Sequence, residues 1–290
     1  MSAIAHEISS QPSAWAEAVR LAPEAAPILP TRGERVAVVG CGTSAFMAQA
    51  FASLRETAGH GETDAFPASE MPARRAYHSI LAISRSGTTT EVLRLLEAAE
   101  VPTVAITAVA GSPITRAADD AVVLEFADER SVVQTRFATS TLALLRAHLG
   151  QDLRHAVADA EVALRAGLPV EPQDHDHYVF LGTGWTVGLA HEAALKMREA
   201  SGSFTESYPA MEYRHGPISL AGPRSVVWVL GQVDGHLLQD VSATGATVIA
   251  GRLDPMAELI EVQRAAVALA ELRGLDPDHP RHLTRSVVLS

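Results

Sequence analysis

One stretch of this sequence is written twice. Val36-Ala37-Val38-Val39 leads into Gly40-Cys41-Gly42 and then a helical segment from about Ser44 to Thr57. About 142 residues later, Tyr178-Val179-Phe180-Leu181 leads into Gly182-Thr183-Gly184 and a helix to about Ala200. Between the copies the alternation continues. Ile80–Ile83 precedes a helical pattern over Glu91–Ala99; Val104–Thr107 precedes a Gly111-Ser112-Pro113 turn; Ala121–Phe126 follows. A long helical pattern spans roughly Thr139 to Arg165, with a break near Gly150. After the second copy, Val226–Leu230 and Ala246–Ala250 read as strands and Pro255–Leu272 as a helix. Continuous apolar strands separated by helices predict α/β units with parallel sheets covered on both faces. The repeat far exceeds solenoid periods, so the chain reads as a tandem duplication. The units are residues 35–166 and 167–290, preceded by a helical lead-in over 1–34 and joined near Pro169 and Pro172.

Ser84-Arg85-Ser86-Gly87-Thr88-Thr89-Thr90 lies where a strand hands over to a helix. Exposed amides at a helix N-terminus favour an anion, and hydroxyls add donors without charge. The lysine of a P-loop is missing, so a compact monophosphate such as that of a sugar fits better than a nucleoside triphosphate. Ordinary turn chemistry uses the same residue types. Thr88 and Glu91 have capping-box spacing, which predicts the helix start. Ligands of open α/β sheets bind at the carboxyl ends of strands, where Gly42, Thr43 and Ser44 would face the same crevice. Gly40-x-Gly42-x-x-Ala45 nominally fits a dinucleotide fingerprint, but Glu62–Pro72 is polar and proline-broken, so no second strand is expected there to carry a ribose partner.

A net charge of −11 argues against nucleic acid and anionic membranes as partners. Cys41 is the single cysteine, so no internal disulfide forms. Met1–Pro12 has neither a basic nor an apolar leader-like run, and no stretch reaches about 18 apolar residues. A cytoplasmic protein is the expectation.

Glu192, Lys196 and Glu199 share one face of the helix after Gly184. Two readings stay open: a solvated ladder of ion pairs, or a carboxylate beside an ammonium, suited to moving a proton to or from carbon. Tyr213-Arg214-His215-Gly216-Pro217 places a histidine in a rigid, exposed turn, where it is either a surface residue or a neutral-pH acid/base group for opening a sugar ring.

Taken together, Gly40–Ser44, Ser84–Thr89, Glu129–Arg136 and Glu212–Pro217 resemble the sugar isomerase (SIS) family. The likeness is nearest to the isomerase half of glutamine–fructose-6-phosphate aminotransferase and to aminosugar-phosphate deaminase/isomerases. It extends from Glu7-Ile8 to the tail Asp278–Val287. It implies two SIS units, each a five-stranded parallel sheet between helices in a flavodoxin-like three-layer sandwich, in a homodimer with shared active sites. It implies a phosphorylated sugar or aminosugar as ligand, no cofactor and no metal. Carried across, Ser44, Ser84, Arg85, Ser86, Thr89 and Gln134 match the phosphate site, with Gly42, Thr43 and Glu192 in support. Glu199 matches the carboxylate that moves a proton between C1 and C2, with Lys196 beside it. His215 matches the ring-opening histidine that reaches the neighbouring subunit's site. The tail closes the site, and Arg285 stands where the family has an imine-forming lysine. Arginine stays protonated and forms no such imine. The glutaminase domain of the aminotransferase is missing, so ammonia delivered from glutamine is not expected of this chain.

Overall fold

The computed structural model describes residues 2–289. Two short helices come first, α1 (Ala3–Ser9) and α2 (Gln11–Ala25). Next come β1 (Val36–Gly40), α3 (Thr43–Thr57), β2 (Thr63–Pro67), β3 (Ser79–Ile83), α4 (Thr90–Glu97), β4 (Thr103–Thr107), α5 (Ile114–Ala117) and β5 (Asp120–Val123). The predicted long helix is broken as expected, into α6 (Arg136–His148) and α7 (Arg154–Arg165). The remainder is β6 (His177–Gly182), α8 (Thr186–Ser201), β7 (Phe204–Pro209), β8 (Ser225–Leu230), α9 (Gly235–Ala243), β9 (Thr247–Ala250) and α10 (Pro255–Leu272).

Both sheets are parallel throughout, in the orders β2-β1-β3-β4-β5 and β7-β6-β8-β9. The chain forms two compact units. The first unit holds Ser13–Glu129, Gln134–Leu153 and the tail from Thr284; the second holds the chain up to Pro12, Arg130–Val133 and Arg154–Leu283.

In the first unit β1, β3 and β4 are buried along their whole lengths, as strands covered on both faces must be. Ala37, Val39, Ile80, Ala82 and Ala105 pack on one face with Val92 and Leu96 of α4 and Ile114 of α5. Trp15 of α2, fully buried, donates its indole N–H to Thr139 Oγ1 at 2.8 Å, which satisfies the polar atom of a core aromatic. In the second unit Val179, Leu181, Val227 and Val229 pack with Leu237 and Val241 of α9.

Two expectations are corrected here. The second sheet has four strands among the described residues, not five. The stretch after α10, Gly274–His282, is rich in proline and charge and offers no β-branched run. The next apolar run lies in the first unit, where Thr90 N–H donates to the Val287 carbonyl and Leu289 N–H to Thr90 Oγ1. The polar segment after Glu62 does form a strand, β2, and Glu206 lies in another, β7. Both are half-exposed edge strands, which tolerate polar residues, and each places its proline last. Each then enters a 3₁₀ turn, Ala68–Glu70 or Ala210–His215.

Candidate functional site

The first unit gathers the hydroxyl-rich loop. Gly40 ends β1 so tightly against α3 that an added Cβ would stand 2.7 Å from Ser44 Cβ. Gly42 then takes φ +54°, a conformation glycine adopts without strain, at the N-cap of α3. Thr43 and Ser44 are buried in the first turn of that helix.

The Ser84–Thr89 loop leaves β3 folded on itself. Ser84 Oγ and Thr89 Oγ1 lie 3.3 Å apart, and Ser86 Oγ accepts from both the N–H and the hydroxyl of Thr88, at 3.2 and 3.0 Å. Gly87, at φ +65°, sits where a Cβ would be 2.2 Å from Ser112 Oγ, so the loop is pinned from below. The capping box does not form. Thr89 is the N-cap residue, it makes no side-chain cap bond, and Thr88 turns its hydroxyl to Ser86 and Ser286. Among the described residues, therefore, no side-chain bond from the N-cap residue closes the N-terminus of α4.

Arg85 does not stand open as a free cation. Its guanidinium lies 3.6 Å from Glu129 Oε2, with 1% and 0% of the two side chains exposed, and it donates to the Arg285 carbonyl at 3.0 Å. Glu129 Oε1 accepts from Thr135 N–H, Thr135 Oγ1 and Arg136 N–H. Arg285 donates to Asp128 Oδ1 and to the Glu129 carbonyl. Arg285 thus fastens the tail. Sequence reasoning missed Asp128 and Glu129 as its partners, although Glu129 opens one of the motifs that carry the resemblance. Gln134 Oε1 is buried and has no hydrogen-bond partner among the described residues.

The second unit gathers the acid and base candidates on α8. Lys196 Nζ lies 2.5 Å from Glu199 Oε2 and 3.5 Å from Glu192 Oε1. The lysine and Glu192 are buried, whereas 19% of the Glu199 side chain is exposed. This is not a solvated ladder: one ammonium is held between two carboxylates, and Glu199 alone of the three reaches solvent. An open cavity of about 550 Å³ lies beside Glu199, lined also by Arg198, Asp276, His279, Arg281 and Leu283. Arg198 is engaged with Thr205 and His279 with Asp276, while Arg281 makes no ion pair or hydrogen bond among the described residues. His215 ends the 3₁₀ turn Ala210–His215, exposed as expected, and does not line this cavity. Burial, with the charge of Glu91 adding to it, pushes the Cys41 thiol pKa up.

The first sheet's strand order defines a flavodoxin-like α/β unit, and its glycine-led, hydroxyl-lined loops lie at the strand ends, where such sheets bind ligands. Residues 31–149 match the SIS domain. It is similar to glutamine–fructose-6-phosphate aminotransferase [isomerizing] of Halobacterium salinarum, 29% identical over 87% of this chain and 51% of the relative. The enzyme of the same name from Thermus thermophilus is 30% identical over 90% and 53%. The chain therefore spans about half the length of these curated relatives. Among solved structures, glucosamine-6-phosphate deaminase of Thermotoga maritima superposes with a TM-score of 0.83 and 26% identity, over 99% of this chain and 100% of that one. No helix among the described residues is long and apolar enough to cross a membrane.

Proposed function

We propose that this chain is a cytoplasmic aminosugar-phosphate deaminase/isomerase built from two tandem SIS units and working as a homodimer. The observation that carries this reading is the buried Glu192–Lys196–Glu199 cluster. An ammonium wedged between two carboxylates orients one of them, Glu199, at a solvent-facing cavity, as a proton carrier requires. The end-to-end likeness to glucosamine-6-phosphate deaminase supports the substrate class.

In this reading Ser44, Ser84, Ser86 and Thr89 grip the phosphate, and the Gln134 amide oxygen accepts from a sugar hydroxyl. His215 opens the ring, acting on the partner protomer's substrate. Glu199 takes the C2 proton of the open-chain 2-amino aldose and returns it to C1, while O1 gains a proton and the amine loses one, leaving a ketimine at C2 and a hydroxyl at C1. Water adds to that carbon and ammonia leaves, giving the ketose phosphate. The substrate's own nitrogen supplies the imine, so no lysine is needed in the tail. Arg285, held by Asp128 and Glu129, keeps a structural post there.

A second reading shares the chemistry. Arg281, unpaired at the rim of the cavity beside Glu199, would suit a carboxylate on the departing nitrogen, as in an amino-acid fructosamine 6-phosphate.

The test is ammonia release from glucosamine 6-phosphate and galactosamine 6-phosphate, and amino-acid release from fructosamine 6-phosphates, with Glu199→Gln as control. Release that is lost in the control is expected. Absence of release from the whole panel by folded protein would sink the proposal.

A further inference from the structure

The two sheets share one strand order up to the missing fifth strand, so β8 occupies in the second the place of β3 in the first. The loop after β3 is Ser84–Thr89. Its counterpart after β8 reads Gly231-Gln232-Val233-Asp234 and carries no hydroxyl. A carboxyl from the chain itself sits on it. Gly231, at φ +82°, donates its N–H to Glu258 Oε2 at 2.7 Å. Glu258 lies near the start of α10 and is 1% exposed, and its Oε1 is buried with no hydrogen-bond partner among the described residues.

The fit is close on the side of the next strand as well. Gly251 follows β9, and a Cβ there would stand 1.7 Å from Glu258 Oε1, so glycine is needed to admit the carboxyl. A Cβ at Gly231 would meet Thr186 Cγ2, in the first turn after β6, at 3.2 Å. The carboxyl therefore sits among loops that follow adjacent strands, at the end of the sheet where open α/β proteins hold ligands. The next helix is closed from within too: Asp234 Oδ1 accepts from His236 N–H at 2.7 Å.

We propose that Glu258 is a built-in ligand, whose carboxyl fills the cradle at the carboxyl end of the second sheet. The chain thereby keeps one of its two equivalent loops open and plugs the other, and the plugged cradle accepts a small free carboxylate once the side chain is removed. Burial pushes the Glu258 carboxyl up to about 7, with the backbone of Gly231 and Leu253 pulling the other way and the charges of Glu261 and Asp254 adding to the rise.

The test is thermal melting of Glu258→Ala with sodium formate against sodium chloride at equal ionic strength, beside the wild type. Formate should raise the variant's Tm by about 2 °C or more beyond its effect on the wild type. A folded variant that does not distinguish formate from chloride overturns the proposal. If the alanine variant does not fold, Glu258→Gln decides. It should keep the Gly231 bond and lose the wild type's fall in Tm between about pH 5 and pH 7; a glutamine variant with the same fall overturns the proposal. Turnover of sugar phosphates does not enter either readout, so the outcome is independent of the function proposed above.

Discussion

β1 and β6 end alike, and β3 and β8 do not. Gly40 and Gly182 both close on the helix behind them, with an added Cβ 2.7 Å from Ser44 Cβ in one case and 2.3 Å from the Thr186 carbonyl in the other. Two residues on, Gly42 and Gly184 both take a positive φ, +54° and +59°. After β3, however, comes a loop of hydroxyls, and after β8 a glycine occupied by the chain's own glutamate. Buried charge diverges in the same way. The first unit spends Arg85, Glu129 and Arg285 on fastening its loop and tail, whereas the second holds Lys196 between carboxylates, one of which faces solvent. The features repeated in both units are steric and build the fold; the hydroxyl loop and the buried charges each belong to one unit.

The sharpest way to break this division is to remove a charge of each kind. Glu199→Gln keeps shape and hydrogen bonding but cannot accept a proton, so turnover should fall by about 10²–10⁴ while sugar-phosphate binding, read by calorimetry, stays within a few-fold. Mixing it with inactive His215→Ala protomers should restore part of the activity, because one site of the hybrid dimer then has both groups; no restoration would place both residues in the same protomer's site. Arg85→Ala should do the reverse. It leaves the Glu129 charge buried without its cation, costing about 3–5 kcal/mol of stability by chemical denaturation, and adding Glu129→Ala should recover part of that loss.

The steric half of the comparison predicts equality. Gly40→Ala and Gly182→Ala each push a methyl group into backbone within 3 Å, so each should destabilise by about 1–3 kcal/mol, and by similar amounts. A large difference would mean that the two turns are not equivalent in solution. These glycines and the apolar strands were legible in the sequence because each signal is local: a β-branched run, then G-x-G, then helical periodicity. The edge strands β2 and β7 were not, since a strand with one neighbour need not be apolar. The candidate site was legible as a set of residue types: Ser84–Thr89 lies between β3 and α4, and Glu192, Lys196 and Glu199 lie together on α8. Their partners were not legible, because Arg85–Glu129 and Arg285–Asp128 are contacts across 44 and 157 positions that no spacing rule connects. Glu258 left a trace that went unread: a carboxylate between Met256-Ala257 and Leu259-Ile260, on the apolar start of a helix.

The smallest effect concerns the place where a local rule failed. Thr88 and Glu91 have capping-box spacing, and a closed box would make Glu91→Ala cost roughly 1 kcal/mol. In the structure the Thr88 hydroxyl is taken by Ser86 and Ser286, the N-cap passes to Thr89, and Glu91 Oε2 is buried without a hydrogen-bond partner among the described residues. Removing Glu91 should therefore change stability by no more than about 0.5 kcal/mol. The rule fails here because the tail competes for the same threonine. Shortening the chain before Thr284 frees the Thr88 hydroxyl from Ser286, and in that shortened protein the box can close. Glu91→Ala should then become the more damaging change, and equal costs in the two backgrounds would show that the tail does not control how this helix starts.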